Sequence, residues 1–199
     1  MKKPIIAIDI DDTLYEHFGA LAQWYNKLYG TQLTLANNHP KGEDALKAWK
    51  ADSVQEAVRR VHGFYETVEH KEAVPYDEAV AVMPELAKKF QIVIVTARDT
   101  ILEEFTHQWL KKHFAGLYDE VHFTSFYSLE GKSRSKQEVL EQVGASYLID
   151  DSLPNCQAAI AAGAVAILFG DYPWNATEDV PAGVTRCRNW NEIARYFGV

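Results

Sequence analysis

Four short runs of the chain are apolar at every position. They are Ile5-Ile6-Ala7-Ile8, Ile92-Val93-Ile94-Val95, Tyr147-Leu148-Ile149 and Val165-Ala166-Ile167-Leu168-Phe169. Such runs do not alternate with polar residues, so each predicts a strand buried on both faces, as in a parallel sheet covered by helices. Val121-His122-Phe123 carries a weaker form of the same signal. Helical signals fill the intervals. Asp99 predicts an N-cap for a helix to about Phe114, with Gly116 beyond its end. Ser135-Lys136-Gln137-Glu138 is a capping box, and Gly144 closes the helix it opens. Pro154 lies in the first turn of a helix that Gly163 ends. Strand and helix in alternation predict an α/β fold, an open sheet with right-handed crossovers.

The interval between Ile8 and Ile92 breaks this rhythm. Phe18, Leu21, Ala22, Tyr25, Leu28 and Tyr29 recur at helical spacing. Ala45, Trp49, Val54, Val58, Val61 and Tyr65 predict two more helices. Residues 14–75 therefore read as a small helical domain inserted after the first strand, with 1–13 and 76–199 forming the α/β core. The tail beyond Asp171 holds Pro173, Pro181 and a short amphipathic helix near Trp190–Phe197.

Composition narrows the function classes. The chain has 199 residues, 47% hydrophobic and 24% charged, which excludes a disordered chain and is enough for a core without disulfides. A net charge of −8 argues against a binder of nucleic-acid polymers, which needs a basic face. Cys156 and Cys187 form no CxxC pair and read as free buried thiols of a reducing compartment. The Met1-Lys2-Lys3-Pro4 start has only four apolar residues before Asp9, unlike a signal peptide. The longest apolar run, Ala158–Phe169, is too short to span a bilayer and is broken by Gly163. The expectation is a soluble, cytoplasmic protein.

In parallel sheets, ligands bind beyond the carboxyl ends of the strands. The first strand ends in Asp9-Ile10-Asp11-Asp12-Thr13, the second in Thr96-Ala97-Arg98-Asp99, and the fourth in Asp150-Asp151-Ser152. The loop after the third carries Lys132, Ser133, Arg134, Ser135 and Lys136. Taken singly, Asp12, Asp99 or Ser152 is an ordinary cap or loop residue. As a set, clustered carboxylates raise one another's pKa unless a cation neutralises them. A hard divalent ion, Mg²⁺, suits such oxygens. Metal, lysine and threonine together suit phosphate oxygens, and a carboxylate aimed at phosphorus is a nucleophile.

The sequence here resembles the haloacid dehalogenase superfamily of Asp-nucleophile phosphohydrolases. The apolar strand followed by D-x-D-x-T is matched by Asp9, Asp11 and Thr13. A strand ending in Thr is matched by Thr96, the lysine by Lys136 or Lys132, and the acidic pair by Asp150-Asp151, in the family's order. The resemblance implies a Rossmann-like three-layer sheet with a small helical cap. It implies Asp9 as nucleophile, Asp11 as general acid/base, and Thr96 and the lysine on the phosphoryl group. Mg²⁺ would be held by Asp9, the Asp11 carbonyl and Asp151. Asp151 is preferred because Asp151-Ser152 with Asn155 fits the family's G-D-S-x-x-[ND], Asp150 replacing the Gly with an outer-sphere contact open to it. Thr13 would steady the loop. Lys136 is preferred over Lys132 because the capping box puts it at the first helical position, where a helix N-terminus also favours an anion. Arg98 has two readings, a phosphate or cleft contact and a surface salt bridge.

Two decoys are set aside. Gly131-Lys132-Ser133 lacks the earlier Gly of a phosphate loop, since Phe126 stands there. The seven His show no i, i+4 pair and no Cys at zinc spacing, so they read as surface or core residues. The ending Leu148-Ile149-Asp150-Asp151 and the aromatic insert also resemble the deoxyribonucleotidase branch. The expected substrate is thus a small phosphorylated metabolite, with a nucleoside monophosphate leading. Trp24, Tyr25, Phe64 or Tyr65 could stack a base, although core packing is the commoner use of such residues. A phosphotransferase shares every residue. A dehalogenase needs neither Asp11 nor the acidic pair, and a phospho-accepting signalling domain carries its Asp on the third strand without a large insert. A silent phospho-ligand-binding protein would not need the intact motif set.

Overall fold

The computed structural model describes residues 3–37, 43–125, 133–177 and 180–199. Among these residues six parallel strands form one sheet in the order β3-β2-β1-β4-β5-β6. The strands are β1 (Ile5–Ile8), β2 (Gln91–Thr96), β3 (Glu120–Phe123), β4 (Tyr147–Asp150), β5 (Val165–Phe169) and β6 (Val184–Cys187). Beside them run α5 (Asp77–Lys89), α6 (Glu103–Phe114), α7 (Lys136–Val143), α8 (Leu153–Ala161) and α9 (Trp190–Phe197). Alternate strand residues feed two apolar clusters. Ile6, Ile8, Ile92, Ile94, Ile149 and Ile167 pack with residues of α5, α6 and α9. Ala7, Val93, Val95, Leu148, Ala166 and Leu168 pack with residues of α7 and α8. Both faces of the sheet are therefore covered, which explains the unbroken apolar runs.

Between β1 and α5 lie α1 (Phe18–Tyr29), α2 (Glu43–Trp49), α3 (Val54–Phe64) and the single turn α4 (Val68–Lys71). They have their own core of Phe18, Leu21, Ala22, Tyr25, Leu33 and Phe64. Tyr25 and Phe64 are buried there, whereas Trp24 and Tyr65 are only half-buried. Leu28, on the predicted apolar stripe, is instead exposed.

The capping box at Ser135 forms, and Gly144 ends α7 in the left-handed conformation. Asp99 caps a 3-10 turn (Thr100–Leu102) rather than α6 itself. Two elements escaped the sequence pattern. β6 is a half-buried strand at the edge of the sheet, Val-Thr-Arg-Cys, with no apolar run to mark it. α5 carries Pro84 in its interior, which removes one helical hydrogen bond. Both cysteines are free and buried, and no helix among the described residues is long and apolar enough to cross a membrane.

Candidate active site

β1 is central, so its carboxyl end meets the ends of both β2 and β4. The ladder continues one residue past β1, where Asp9 N–H donates to the Ile149 carbonyl at 3.0 Å. Asp9 therefore stands level with the acidic end of β4. The Ile10 carbonyl then accepts from Thr13 N–H (3.2 Å) and Leu14 N–H (2.8 Å), forming a tight turn. Asp12 takes φ 54° within it, a left-handed geometry that Asp tolerates better than most residues. Its carboxylate accepts from the backbone of His17 (2.9 Å) and Phe18 (3.0 Å), capping the start of α1. One loop thus both displays the carboxylates and anchors the insert. The Thr13 hydroxyl is buried with no partner among the described residues, while the Thr13 carbonyl accepts from Trp190 Nε1 at 2.8 Å.

The capping box directs Lys136 inward, and Lys136 is buried. Its Nζ lies 2.6 Å from Asp150 Oδ2 and 2.9 Å from Asp9 Oδ1. The first contact is a well-directed hydrogen bond; the second is close but poorly directed, so Asp9 Oδ1 has no hydrogen bond of its own. Asp150 also accepts from Ser152 N–H (2.9 Å) and Asn155 Nδ2 (3.0 Å). Asp150 is therefore the counter-ion that holds Lys136. Lys132 lies outside the described residues.

Asp9, Asp150 and Asp151 each bring an oxygen into a group whose members lie within 4.8 Å of one another. Burial raises the Asp9 carboxyl to about 7; Asp150 and Asp11 add to this and Lys136 opposes it. Burial, then Asp150 and Asp9, push Asp151 well above the usual carboxylate range. Burial depresses Lys136, but Asp150 and Asp9 outweigh it and raise its pKa. Three crowded carboxylates with one ammonium, and an Asp9 oxygen lacking a donor, fit a hard divalent cation with all-oxygen ligands.

Asp11 points elsewhere. Its carboxylate receives Arg98 Nε at 3.0 Å on Oδ2 and Nη2 at 2.8 Å on Oδ1. Arg98 is buried and also donates to Thr106 Oγ1 (3.0 Å) and Tyr15 Oη (2.9 Å). The salt bridge is thus in the interior, and the guanidinium is committed to Asp11 rather than presented to a phosphate. Burial pushes the Asp11 carboxyl up, but Arg98 and then His17 hold it well below the ordinary range. His17 Nδ1 is 3.5 Å from Asp11 Oδ1 and 2.7 Å from the Tyr15 hydroxyl. Beyond it lies His70, buried, with neither ring nitrogen hydrogen-bonded among the described residues. Burial, with Arg98 and His17, pushes His70 down to about 3. Thr96, buried at the end of β2, accepts from Arg98 N–H at 3.2 Å.

The structure thus gathers Asp9, Asp151 and Lys136, and sets Asp11 on the Arg98 side of the same edge. The pairing of Asp150 with Lys136, the two histidines beside Asp11, and the indole of Trp174 on Asp151 (2.7 Å) had no sequence signal. His70 and Trp174 are remote in the chain from Asp11 and Asp151, and His17, though only six residues from Asp11, reaches it through the turn at Asp12.

This edge, with its insert after β1, is that of the haloacid dehalogenase fold. A haloacid dehalogenase-like hydrolase of Streptococcus pneumoniae superposes with a TM-score of 0.71 at 17% identity, covering 98% of each chain. A Clostridium difficile protein assigned as a phosphatase gives 0.70 at 15%, covering 98% of this chain and 99% of its own. A Bacillus subtilis protein assigned as a HAD hydrolase, bound to magnesium, gives 0.66 at 13% over the whole of both chains. No curated protein matches by sequence. Residues 3–197 match the family model of the 5′ nucleotidase, deoxy (pyrimidine), cytosolic type C protein, and the chain belongs to that family. It is a phosphoric monoester hydrolase with a haloacid dehalogenase-like fold.

Proposed function

We propose that the protein is a Mg²⁺-dependent nucleotidase that hydrolyses a nucleoside monophosphate through an aspartyl-phosphate on Asp9. The observation that carries this reading is the Asp9 carboxylate, backed by Lys136 at 2.9 Å and crowded by Asp150 and Asp151, at the carboxyl end of the central strand. Asp9, the Asp11 carbonyl and Asp151 are the ligands in this reading. A bound divalent ion supplies charge neutralisation for the phosphate and for Asp9.

An Asp9 oxygen attacks phosphorus, and the bond from phosphorus to the leaving oxygen breaks. Lys136, and the Thr96 hydroxyl, hold the phosphoryl oxygens. Asp11 gives a proton to the leaving oxygen, then takes one from the water that releases phosphate from Asp9. Gripped by Arg98, Asp11 is set as the base of the second step; the first requires it to part from the guanidinium. Residues 14–75 act as a cap in this reading, since α1 springs directly from the catalytic loop through Asp12. Of the aromatics that could stack a base, Tyr25 and Phe64 are buried in the core of this insert, and Trp24 and Tyr65 are half-buried against it.

The family description makes pyrimidine deoxyribonucleoside 5′-monophosphates the first compounds to assay. Phosphate release is measured across nucleoside monophosphates and sugar phosphates, with Mg²⁺ and after exhaustive chelation. Release from sugar phosphates alone would remove the nucleotidase reading. Full activity after chelation would remove the metal.

A further inference from the structure

The connection from β5 to β6 crosses the same sheet edge and is braced from both ends. Arg186 on β6 donates to the carbonyls of Gly170 (2.8 Å) and Asn175 (2.6 Å). Asn175 Nδ2 donates in turn to the carbonyls of Asp151 (2.8 Å) and Phe169 (2.9 Å). Between these anchors the rings of Tyr172 and Trp174 stack at 4.4 Å and 4°. The Tyr172 hydroxyl donates to the Asp12 carbonyl at 2.9 Å, and Trp174 Nε1 donates to Asp151 Oδ2 at 2.7 Å. Phe18, the first residue of α1, meets the Trp174 ring edge-on at 5.9 Å.

We propose that Trp174 is a positioning residue for metal binding: its indole N–H holds one oxygen of Asp151, so that the carboxylate offers the other to the cation shared with Asp9. This deepens, and rests on, the metal-dependent reading above. An indole suits the task because it has a donor and no acceptor, so it never competes for the cation. Its ring is immobilised by Tyr172 on one side and Phe18 on another. An Asp151 carboxylate freed from it must be ordered at the moment the ion binds. Losing such a supporting hydrogen bond typically weakens metal affinity by about 10–100-fold.

The test measures binding without turnover. Mn²⁺ serves as the probe, followed by loss of the free-ion EPR signal, with Asp151→Asn as the reference for a lost ligand. Trp174→Phe keeps an aromatic ring in the stack. A chain with benzothienylalanine at position 174 keeps the full bicyclic shape and loses only the N–H, so it decides the matter even where the Phe variant folds poorly. The Mn²⁺ Kd is expected to rise roughly 10–100-fold in both, while the metal-free melting temperature of the benzothienyl chain stays near that of the unaltered protein. An unchanged Kd in the benzothienyl chain overturns the proposal. Tight Mn²⁺ binding by Asp151→Asn would instead overturn the metal site on which it rests.

Discussion

Two charged clusters share one sheet edge and are balanced differently. At Asp11 a single carboxylate meets a buried guanidinium through paired hydrogen bonds, and among the described residues that guanidinium's hydrogen bonds go to Asp11, Thr106 and Tyr15. At Asp9 the ammonium of Lys136 is shared by Asp9 and Asp150, and a third carboxylate, Asp151, crowds the same place without a cation of its own among the described residues. The first cluster is a matched pair; the second sets three crowded carboxyl groups against one ammonium, and the upward push on Asp9 and Asp151 reflects the cost of ionising them all. Charge excess in the interior is costly, and it marks where a cation belongs. A complete pair marks a side chain held in position.

The comparison breaks most sharply through paired Asn substitutions. Asp9→Asn should lower turnover on the order of 10⁴-fold or more, as loss of a nucleophile does, and should abolish phosphate label on the protein in rapid-quench experiments. It also removes charge from the crowded cluster, so the metal-free protein should melt no lower than the parent. Lys136→Ala comes next. It strips the one cation that the described residues place on Asp9 and Asp150, and urea denaturation should show a loss of about 3–5 kcal/mol. Lys132→Ala is its control; a larger loss of phosphatase activity there, at matched folding, would reverse the assignment of the phosphate lysine to Lys136.

Asp11→Asn attacks the balanced cluster and should do the opposite of Asp9→Asn on stability. It leaves Arg98 buried without a charge partner and should cost about 1–3 kcal/mol. Its phosphoenzyme should accumulate, and it should retain more activity on a nitrophenyl phosphate than on an alkyl phosphate, because a good leaving group needs less protonation. The smallest effect concerns His70. Its pKa falls from 6.5 to about 3 on folding, so the unfolded chain binds more protons between those values. Stability tied to it is present above pH 6.5 and is lost as pH falls toward 3. His70→Phe removes this dependence. Between pH 7 and 5 the variant should lose less stability than the parent, by on the order of 1–2 kcal/mol. Parallel acid limbs in the two proteins would contradict it.

The strand-end carboxylates were legible because an apolar run that stops at an Asp is a local signal. Asp9 and Thr96 end such runs, and the capping box at Ser135 set Lys136 at a helix start without reference to the rest of the fold. Asp150 was harder. It is as polar as Asp151 and adjacent to it, and only the neighbouring strand and α7 show that its oxygens are used by Lys136, Ser152 and Asn155. Arg98 carried two readings, and neither was the buried pair, because its partner lies 87 residues away. β6 stayed hidden because an edge strand needs only half of its surface apolar.

By itself, then, the sequence determined strands β1, β2, β4 and β5, the capping of α7 and the residue types at the sheet edge. Periodicity and strand-end placement are properties of neighbouring residues, and these survive in a linear reading. The tertiary structure alone decided which charges are paired and which are left in excess. That depends on register: β1 beside β4 sets Asp9 level with Asp150 and Asp151, and β2 on its other side brings Arg98 to Asp11. Burial then turns a few ångströms into a large electrostatic difference, because a low-dielectric interior does not screen a charge that lacks a partner.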